Sequence, residues 1–508
     1  MVAEPAPPHT SSAPAPIPTP TQVLDTPTIK GWHLLDVSME APRAAIFLSL
    51  NSAGLDSSAR SAALVRMLLE VLELRINEAR YMAEEAGITI DITNYSFSAP
   101  CYGLRLLLHG FTGKLEEVLQ DVVRELESLS ITEEVFGMAK EKAETDYRNR
   151  KFQQPYLHSI QSNQAVLEKP FWSDEERLAE LHKLTPTDLA IFHSDFLTQM
   201  QVDALVAGNM QEARAKMLLL DLQNSINMGK LKQPLPPHTL AQLPGPASHT
   251  VHTQLTKDAE HLDSAVSVYL QIGQQTHALD AHLQLLCQIL DKEAYSQLRT
   301  REQLGYIVAA EVSTRSGVTG MRLAVQSSRA PHDVHARVEA FLVTFRQMLQ
   351  DMDDTTFESY VDSLITQKLE KDRTLHVRAS RLFHEIVCHT NCWNRRDLQV
   401  EELRKTSKDM LMQLYDTFIM PGAAQRRKLT SFVVGKAALE KGCFASLSPH
   451  NATLLVTRSG RCAGMSLEEA RAPEGEECLA SECVLGPPAE TLSVHDFVTS
   501  LERFPPLR

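Results

Sequence analysis

The chain has 508 residues, 43% of them hydrophobic and 22% charged, with a formal net charge of −14. Such proportions exclude a wholly disordered, collagen-like or membrane-embedded chain, and no stretch approaches the roughly 20 apolar residues of a transmembrane helix. At about 150 residues per domain the length predicts two to four domains, and the acidic balance argues against nucleic acid as a partner.

The first 28 residues carry eight prolines (5, 7, 8, 14, 16, 18, 20 and 27) among Ser, Thr and Ala. Too little apolar surface is present to fold, so residues 1–28 read as a disordered extension. The opening MVAEPAPPH has neither the basic start nor the apolar run of a secretory signal. A β-like run follows at Ala44–Leu50. Leu64, Met67, Leu68, Val71 and Leu72 then repeat at helical spacing. Gly87–Ile90 and Tyr102–Leu108 read as strands. Leu115, Val118, Leu119, Val122 and Leu126 form one face of a second helix. Further helices fill roughly 133–200, and Asp203–Gly208 reads as a closing strand.

The same order returns. Ala265–Leu270 matches the first strand (265 − 45 = 220), and Gly305–Val308 matches Gly87–Ile90 (305 − 87 = 218). Gly320–Val325 matches the Gly103 strand (320 − 103 = 217), Phe357 matches Phe136 (357 − 136 = 221), and Ser431–Gly435 matches the Gly208 strand (435 − 208 = 227). A nearly constant offset over ordered landmarks predicts a duplicated domain. Each copy mixes strands with helices, so the class is α+β. The expected organisation is a domain at 29–228, a Pro-rich linker at 229–250, a domain at 251–440 and a loosely structured tail at 441–508.

Eight cysteines are too few for a disulfide scaffold. Cys101, Cys287, Cys388 and Cys392 lie in the body; Cys443, Cys462, Cys478 and Cys483 lie in the tail. They read as reduced thiols of a cytoplasmic protein, which makes the sequon Asn451-Ala452-Thr453 incidental.

Residues 384–392, His-Glu-Ile-Val-Cys-His-Thr-Asn-Cys, resemble the zinc-protease pattern H-E-x-x-H but fail it. His384 and His389 are five apart, about 500° around a helix, and point away from each other. His384, Cys388 and Cys392 are spaced by four and could share a face as metal ligands. The plainer reading is a helix running into a loop, because no distant fourth ligand is evident. Phosphate-loop, dinucleotide and nucleophile-elbow patterns are absent from the sequence.

The most informative run is Tyr295–Val308, YSQLRTREQLGYIV. A helix is expected to end here with Gly305 at its C-cap, and a strand to begin at Tyr306. Arg299 could donate to a substrate carbonyl or carboxylate, and the Tyr306 hydroxyl to a developing oxyanion. Spacing alone favours a surface arginine and a half-buried tyrosine.

That run resembles the pitrilysin/insulysin family of inverted-zincin metallopeptidases. Glu78–Leu108 is similar to the family's third domain. Glu339–Leu342 and Pro421–Val434 are similar to its fourth, and Asp496–Pro505 faintly to its terminus. The resemblance covers roughly residues 29–440. It implies two homologous domains of the pitrilysin/insulysin (LuxS-like metalloenzyme) type, forming one bowl-shaped half of a clamshell. In the family the residues matching Arg299 and Tyr306 reach the zinc site of the other half, hold the substrate backbone and stabilise the tetrahedral intermediate. The aromatic residue matching Tyr295 lines the substrate pocket beside them.

The resemblance also implies what is missing. The family's zinc motif H-x-x-E-H lies in its first domain and occurs nowhere here. Zinc is therefore the family's cofactor, with no metal ligand expected in this chain. The implied partners are peptide substrates and a zinc-bearing N-terminal half or subunit, with no nucleic acid or membrane. Alone, the chain is not expected to cleave peptides. The alternative is a non-catalytic peptide-binding or assembly subunit. An acidic chamber wall would suit basic peptides. The family's basic anion-binding run is reduced to Lys371-Asp372-Arg373, which argues against regulation by polyphosphates.

Overall fold

The computed structural model describes residues 18–38, 41–53, 58–94, 102–226, 228–235, 239–245, 248–441, 453–458, 491–492 and 501–504. In chain order the first unit runs β1 Thr21–Asp25, β2 Ile29–Leu35, β3 Arg43–Asn51, α1 Ala59–Arg75, α2 Asn77–Glu85, β4 Thr89–Thr93 and β5 Gly103–Phe111. It continues through α3 Thr112–Glu127, α4 Glu133–Asn149, α5 Pro155–Leu167, β6 Glu168–Lys169, α6 Asp174–Leu181, α7 Pro186–Thr198, β7 Gln201–Gly208 and α8 Glu212–Ser225. The second unit runs β8 Thr239–Leu240, β9 Ser248–Leu255, β10 Ser264–Gln274, α9 His277–Ala294, a π-helical segment Tyr295–Arg301, β11 Ile307–Arg315 and β12 Val318–Ser327. Then come α10 Pro331–Asp351, α11 Asp354–Leu369, α12 Leu375–Val387, α13 Arg395–Leu403, α14 Lys408–Phe418, β13 Arg427–Val434, α15 Lys436–Glu440, β14 Thr453–Arg458 and β15 Thr491–Leu492.

The fold is α+β, with two sheets of the same design. The first has the order β1-β2-β7-β3-β5-β4, the second β11-β12-β10-β13-β9-β14-β15. Read from opposite edges, β2-β7-β3-β5-β4 superposes in order on β9-β13-β10-β12-β11. The parallel pairs also coincide, β2 with β7 and β13 with β9. Duplication thus shows in the hydrogen-bonded ladder as well as in the spacing.

Nearly every residue of β3, β7 and β10 is buried. An antiparallel strand with one wet face would alternate, so both faces of these sheets are covered. Ile46, Leu48, Ala204 and Val206 meet the unit's own helices. Their alternate neighbours Ala45, Phe47, Leu205 and Ala207 meet Leu375, Ala379, Leu382, Phe383, Ile386 and Val387 of α12, a helix of the second unit. The exchange is reciprocal: α5 of the first unit lies on β10 and β13. Both helices have 13 residues and start 220 positions apart (375 − 155).

Three expectations about the flanks need correction. The Pro-rich 1–28 stretch contributes β1, antiparallel to β2, and Leu24 joins the core. The linker at 229–250 contains β8, which pairs with β6, and the start of β9. From the tail, β14 pairs with β9 and β15 with β14. Leu501 and Phe504 pack beside Leu240 and Leu243. Proline-rich composition disfavours independent folding, but open sheet edges and a waiting apolar surface supply partners from outside the segment. Cys101, Asn451 and the four tail cysteines lie outside the described residues.

Candidate substrate-clamping site

Thr276 caps α9, its hydroxyl accepting from the Leu279 amide at 3.1 Å. Buried Leu283, Leu286, Leu290, Ala294 and Leu298 hold one face of the helix and its extension against the core. From Tyr295 the helix widens into π register, and the Glu302 amide reaches back to the Gln297 carbonyl at 2.9 Å. Such segments place side chains where a regular helix would not, and they concentrate at functional sites. The chain leaves through Gln303, whose φ is 50°. Leu304 is buried, with its amide on the Leu298 carbonyl at 2.8 Å. The Ser327 hydroxyl donates to the Leu304 carbonyl.

The expected role of Gly305 changes here. The left-handed position belongs to Gln303, and the π segment ends at Arg301 with Glu302 as its cap. Glycine is needed at 305 because a Cβ there would run into the Gln326 carbonyl oxygen of β12. The close approach lets β11 start at Ile307, paired with Gln326.

This geometry brings all three sequence-selected residues together. The Arg299 guanidinium donates to the Tyr295 hydroxyl. Its carbon lies 4.4 Å from the Tyr295 ring centre and 4.9 Å from that of Tyr306. Two aromatic walls thus enclose one cation, a contact worth about 0.5–1 kcal/mol each at an exposed site. Tyr306 is 78% exposed and Tyr295 46%. An outward, rigidly framed arginine flanked by two phenols can donate to a peptide carbonyl or to an oxyanion while its ring walls limit what approaches.

Sequence reasoning missed the frame of this site. The Glu302 carboxylate accepts from Arg337 Nε at 2.9 Å, Arg337 Nη2 at 2.7 Å and Gln297 Nε2 at 2.9 Å. Burial works against its ionisation, yet these donors hold its carboxyl below the usual carboxylate range. Glu302 stands inside the YSQLRTREQLGYIV run. Arg337 is far along the chain on α10, and no spacing rule connects it.

The alternative metal cluster does not assemble. Helix α12 ends at Val387, so Cys388 caps it and Cys392 lies in the loop beyond. His384 Nε2 is 3.7 Å from the Cys388 sulfur, but the Cys392 sulfur faces His277 Nε2 at 3.9 Å. Burial pushes the Cys388 thiol up to about 11, away from the thiolate a metal needs. Glu385 is bound by the Arg395 fork at 2.6 and 2.8 Å. Among the described residues no group of three or more His, Cys, Asp or Glu could hold a metal ion. Asp372 of the Lys371-Asp372-Arg373 run is buried and paired with Arg381 and Arg396, each at 2.9 Å. No helix among the described residues is long and apolar enough to cross a membrane.

Comparison with known proteins bears on the family and the fold. Residues 6–180 match the family described as the middle or third domain of peptidase M16, and residues 285–383 match the C-terminal lobe domain 4 of PqqF-like PQQ synthase. The insulin-degrading enzyme of Drosophila melanogaster is 30% identical over 435 residues, 84% of this chain and 43% of that protein. The human insulin-degrading enzyme is 26% identical over 424 residues, 82% of this chain and 41% of that protein. The crystal structure of pitrilysin aligns with a TM-score of 0.75 at 22% identity, covering 82% of this chain and 43% of that one. The chain belongs to the insulysin/pitrilysin-like peptidase M16 family. It spans less than half the length of the curated relatives it matches, and the family's members are zinc metallopeptidases.

Proposed function

We propose that this chain is the C-terminal half of an insulysin-like zinc metalloendopeptidase, working in trans to a zinc site on a separate or missing N-terminal half. The observation that carries the reading is the exposed Tyr295–Arg299–Tyr306 slot, built on a π turn and directed outward. Support also comes from the matches to a third and a fourth domain in chain order. The proposed domains are 29–228 and 251–440, in a cytoplasmic setting consistent with the unpaired thiols of Cys287, Cys388 and Cys392.

In this reading Arg299 binds a backbone carbonyl of an extended peptide. Tyr306 donates its hydroxyl proton as a hydrogen bond to the oxyanion that forms on the attacked carbonyl. Tyr295 orients the guanidinium and lines the pocket. Each group gains strength as charge develops, which is the condition for accelerating the chemical step. Zinc held by the other half would supply the attacking water.

The test is a fluorogenic peptide assay with and without a zinc-bearing N-terminal half. Alone, the chain should show no cleavage. Mixing should restore it, and Arg299→Ala should lower the restored rate on the order of 10²-fold. Chelator-sensitive cleavage by the isolated chain would overturn the reading. A second reading, a non-catalytic peptide-binding or assembly subunit, draws on a neighbour titled as a peptidase M16 inactive domain from Pseudomonas fluorescens, with a TM-score of 0.60. Peptide binding without restored cleavage would favour it.

A further inference from the structure

We infer that the Glu302–Arg337 ion pair is the positioning device of the clamping slot, fixing the π turn so that Arg299 lies between Tyr295 and Tyr306. Its catalytic consequence rests on the function proposed above; its structural part does not.

Glu302 lies between Arg299 and Tyr306 in sequence and ties together three pieces of chain. Its carboxylate receives the two-pronged Arg337 fork from α10 and the Gln297 side chain from inside the π turn. Its amide donates to the Gln297 carbonyl at 2.9 Å. Its own carbonyl accepts from Arg329 Nη2 at 3.4 Å. Removing the fork takes away the two bonds that tie the turn to α10, leaving bonds from Gln297, Arg329 and Ser327 and the Leu298 and Leu304 anchors to hold a conformation that the chain does not favour.

Two features show that the turn needs holding. The π register is rarer than the α register it interrupts, and Gln303 occupies a left-handed conformation disfavoured by about 1 kcal/mol or more for a non-glycine residue. A slip toward regular helix turns each side chain by roughly 100° per residue of register. Arg299 would then swing away from the Tyr306 ring, which stands at the entrance of β11 rather than on the helix. Arg337 therefore acts through Glu302 on Arg299 and touches no substrate itself. The half-buried fork is also stronger than an exposed pair, because a bidentate guanidinium–carboxylate contact gains from reduced solvent screening. The guanidinium of Arg337 is stabilised in turn by its bond to Glu302.

A control exists on the same helix. Arg346 makes a fork of the same geometry, though more exposed, to Asp416 at 2.9 and 3.0 Å, farther along α10. The experiment compares Arg337→Met, Arg337→Lys, Glu302→Gln and Arg346→Met in the full chain by hydrogen exchange. Arg337→Met should speed exchange in the 295–307 segment about tenfold. Arg337→Lys should give a smaller rise and Arg346→Met none there. The Arg337→Met/Glu302→Gln double variant should be no worse than the single ones, since both break one interaction. Unchanged exchange in Arg337→Met, or a rise spread evenly over the second unit, overturns the proposal.

In the reconstituted cleavage assay Arg337→Met should lower kcat on the order of tenfold with KM within about twofold, the signature of a misplaced transition-state donor. The two ideas fail separately. Faster exchange in Arg337→Met with cleavage indifferent to Arg299→Ala removes the functional reading and keeps the positioning role. Cleavage lost in Arg299→Ala with exchange indifferent to Arg337→Met does the reverse.

Discussion

The two units share a sheet, a helix order and an exchanged helix, yet they end the same turn in opposite ways. In the first unit the turn before the edge strand closes on Gly87 and Ile88, and Ile88 is 1% exposed. Its arginine, Arg80, is engaged by Glu73 at 2.7 Å. In the second unit the turn closes on Gly305 and Tyr306, the tyrosine stands in solvent, and Arg299 faces only phenols. One copy turned this corner into core and the other into an exposed slot. The lesson is that duplication preserves the ladder and its buried faces, while the residues at a strand entrance are free to take a function.

The exchanged helices differ too. Helix α12 seats an apolar row on the first sheet, with Phe383 5.2 Å from Phe47, and Trp393 in the loop beyond it lies 5.2 Å from Trp32. Helix α5 instead inserts Asn163 between two buried serines that face each other across the second sheet, Ser267 at 2.8 Å and Ser431 at 2.6 Å. The inner strands also contrast. His33 on β2 meets the Met210 carbonyl at 2.8 Å. His252 on β9, whose partner Ser431 stands where Leu205 pairs with Trp32, is buried with no hydrogen-bond partner for its Nδ1 among the described residues.

These contrasts can be broken in order of size. Phe383→Ala should cost about 3–5 kcal/mol in urea unfolding, because it opens a cavity between units; a loss below 1 kcal/mol would show that α12 adds little to the join. Acid should act through His252, whose ring burial pushes down to about 4 from an ordinary value of 6.5. A neutral buried ring means that the unfolded chain takes the proton first as pH falls. The contribution is therefore full above about pH 6.5 and lost progressively toward about pH 4, up to about 3 kcal/mol. His335 and His158 are lowered by burial in the same direction. His252→Leu should flatten part of the fall of Tm between pH 7 and pH 5, and an unchanged slope would assign the effect elsewhere. Tyr306→Ile makes the second turn resemble the first and should cut reconstituted cleavage on the order of 10²-fold with stability unchanged; Tyr306→Phe separates the hydroxyl from the ring. Asn163→Ala should cost about 1–3 kcal/mol, since two buried hydroxyls lose their shared partner.

Much of the fold was legible because strand and helix periods are local. Ala44–Leu50, Leu64–Leu72 and Asp203–Gly208 became β3, α1 and β7 with small boundary shifts. The flanks were misread because their partners are remote: β1, β8 and β14 owe their order to edges built elsewhere. The His384, Cys388 and Cys392 spacing assumed a helix that stops at Val387, since left-handed His389 and Asn391 break it. Short helix α2 went unseen, with only Ala83 buried along it.

By itself the sequence determined the α+β class and the repeated order of elements, and a family resemblance in one run singled out Tyr295, Arg299 and Tyr306, because periodicity, offset and motif are written along one chain. The tertiary structure decided the rest. Each sheet needed a helix from the other unit to dry its second face. Arg299 needed Tyr306 across a turn and Glu302 needed Arg337 from another helix. Gly305 needed the Gln326 carbonyl before its lack of a side chain had a reason. Such requirements are distances between residues far apart in the chain, and local spacing carries no term for them.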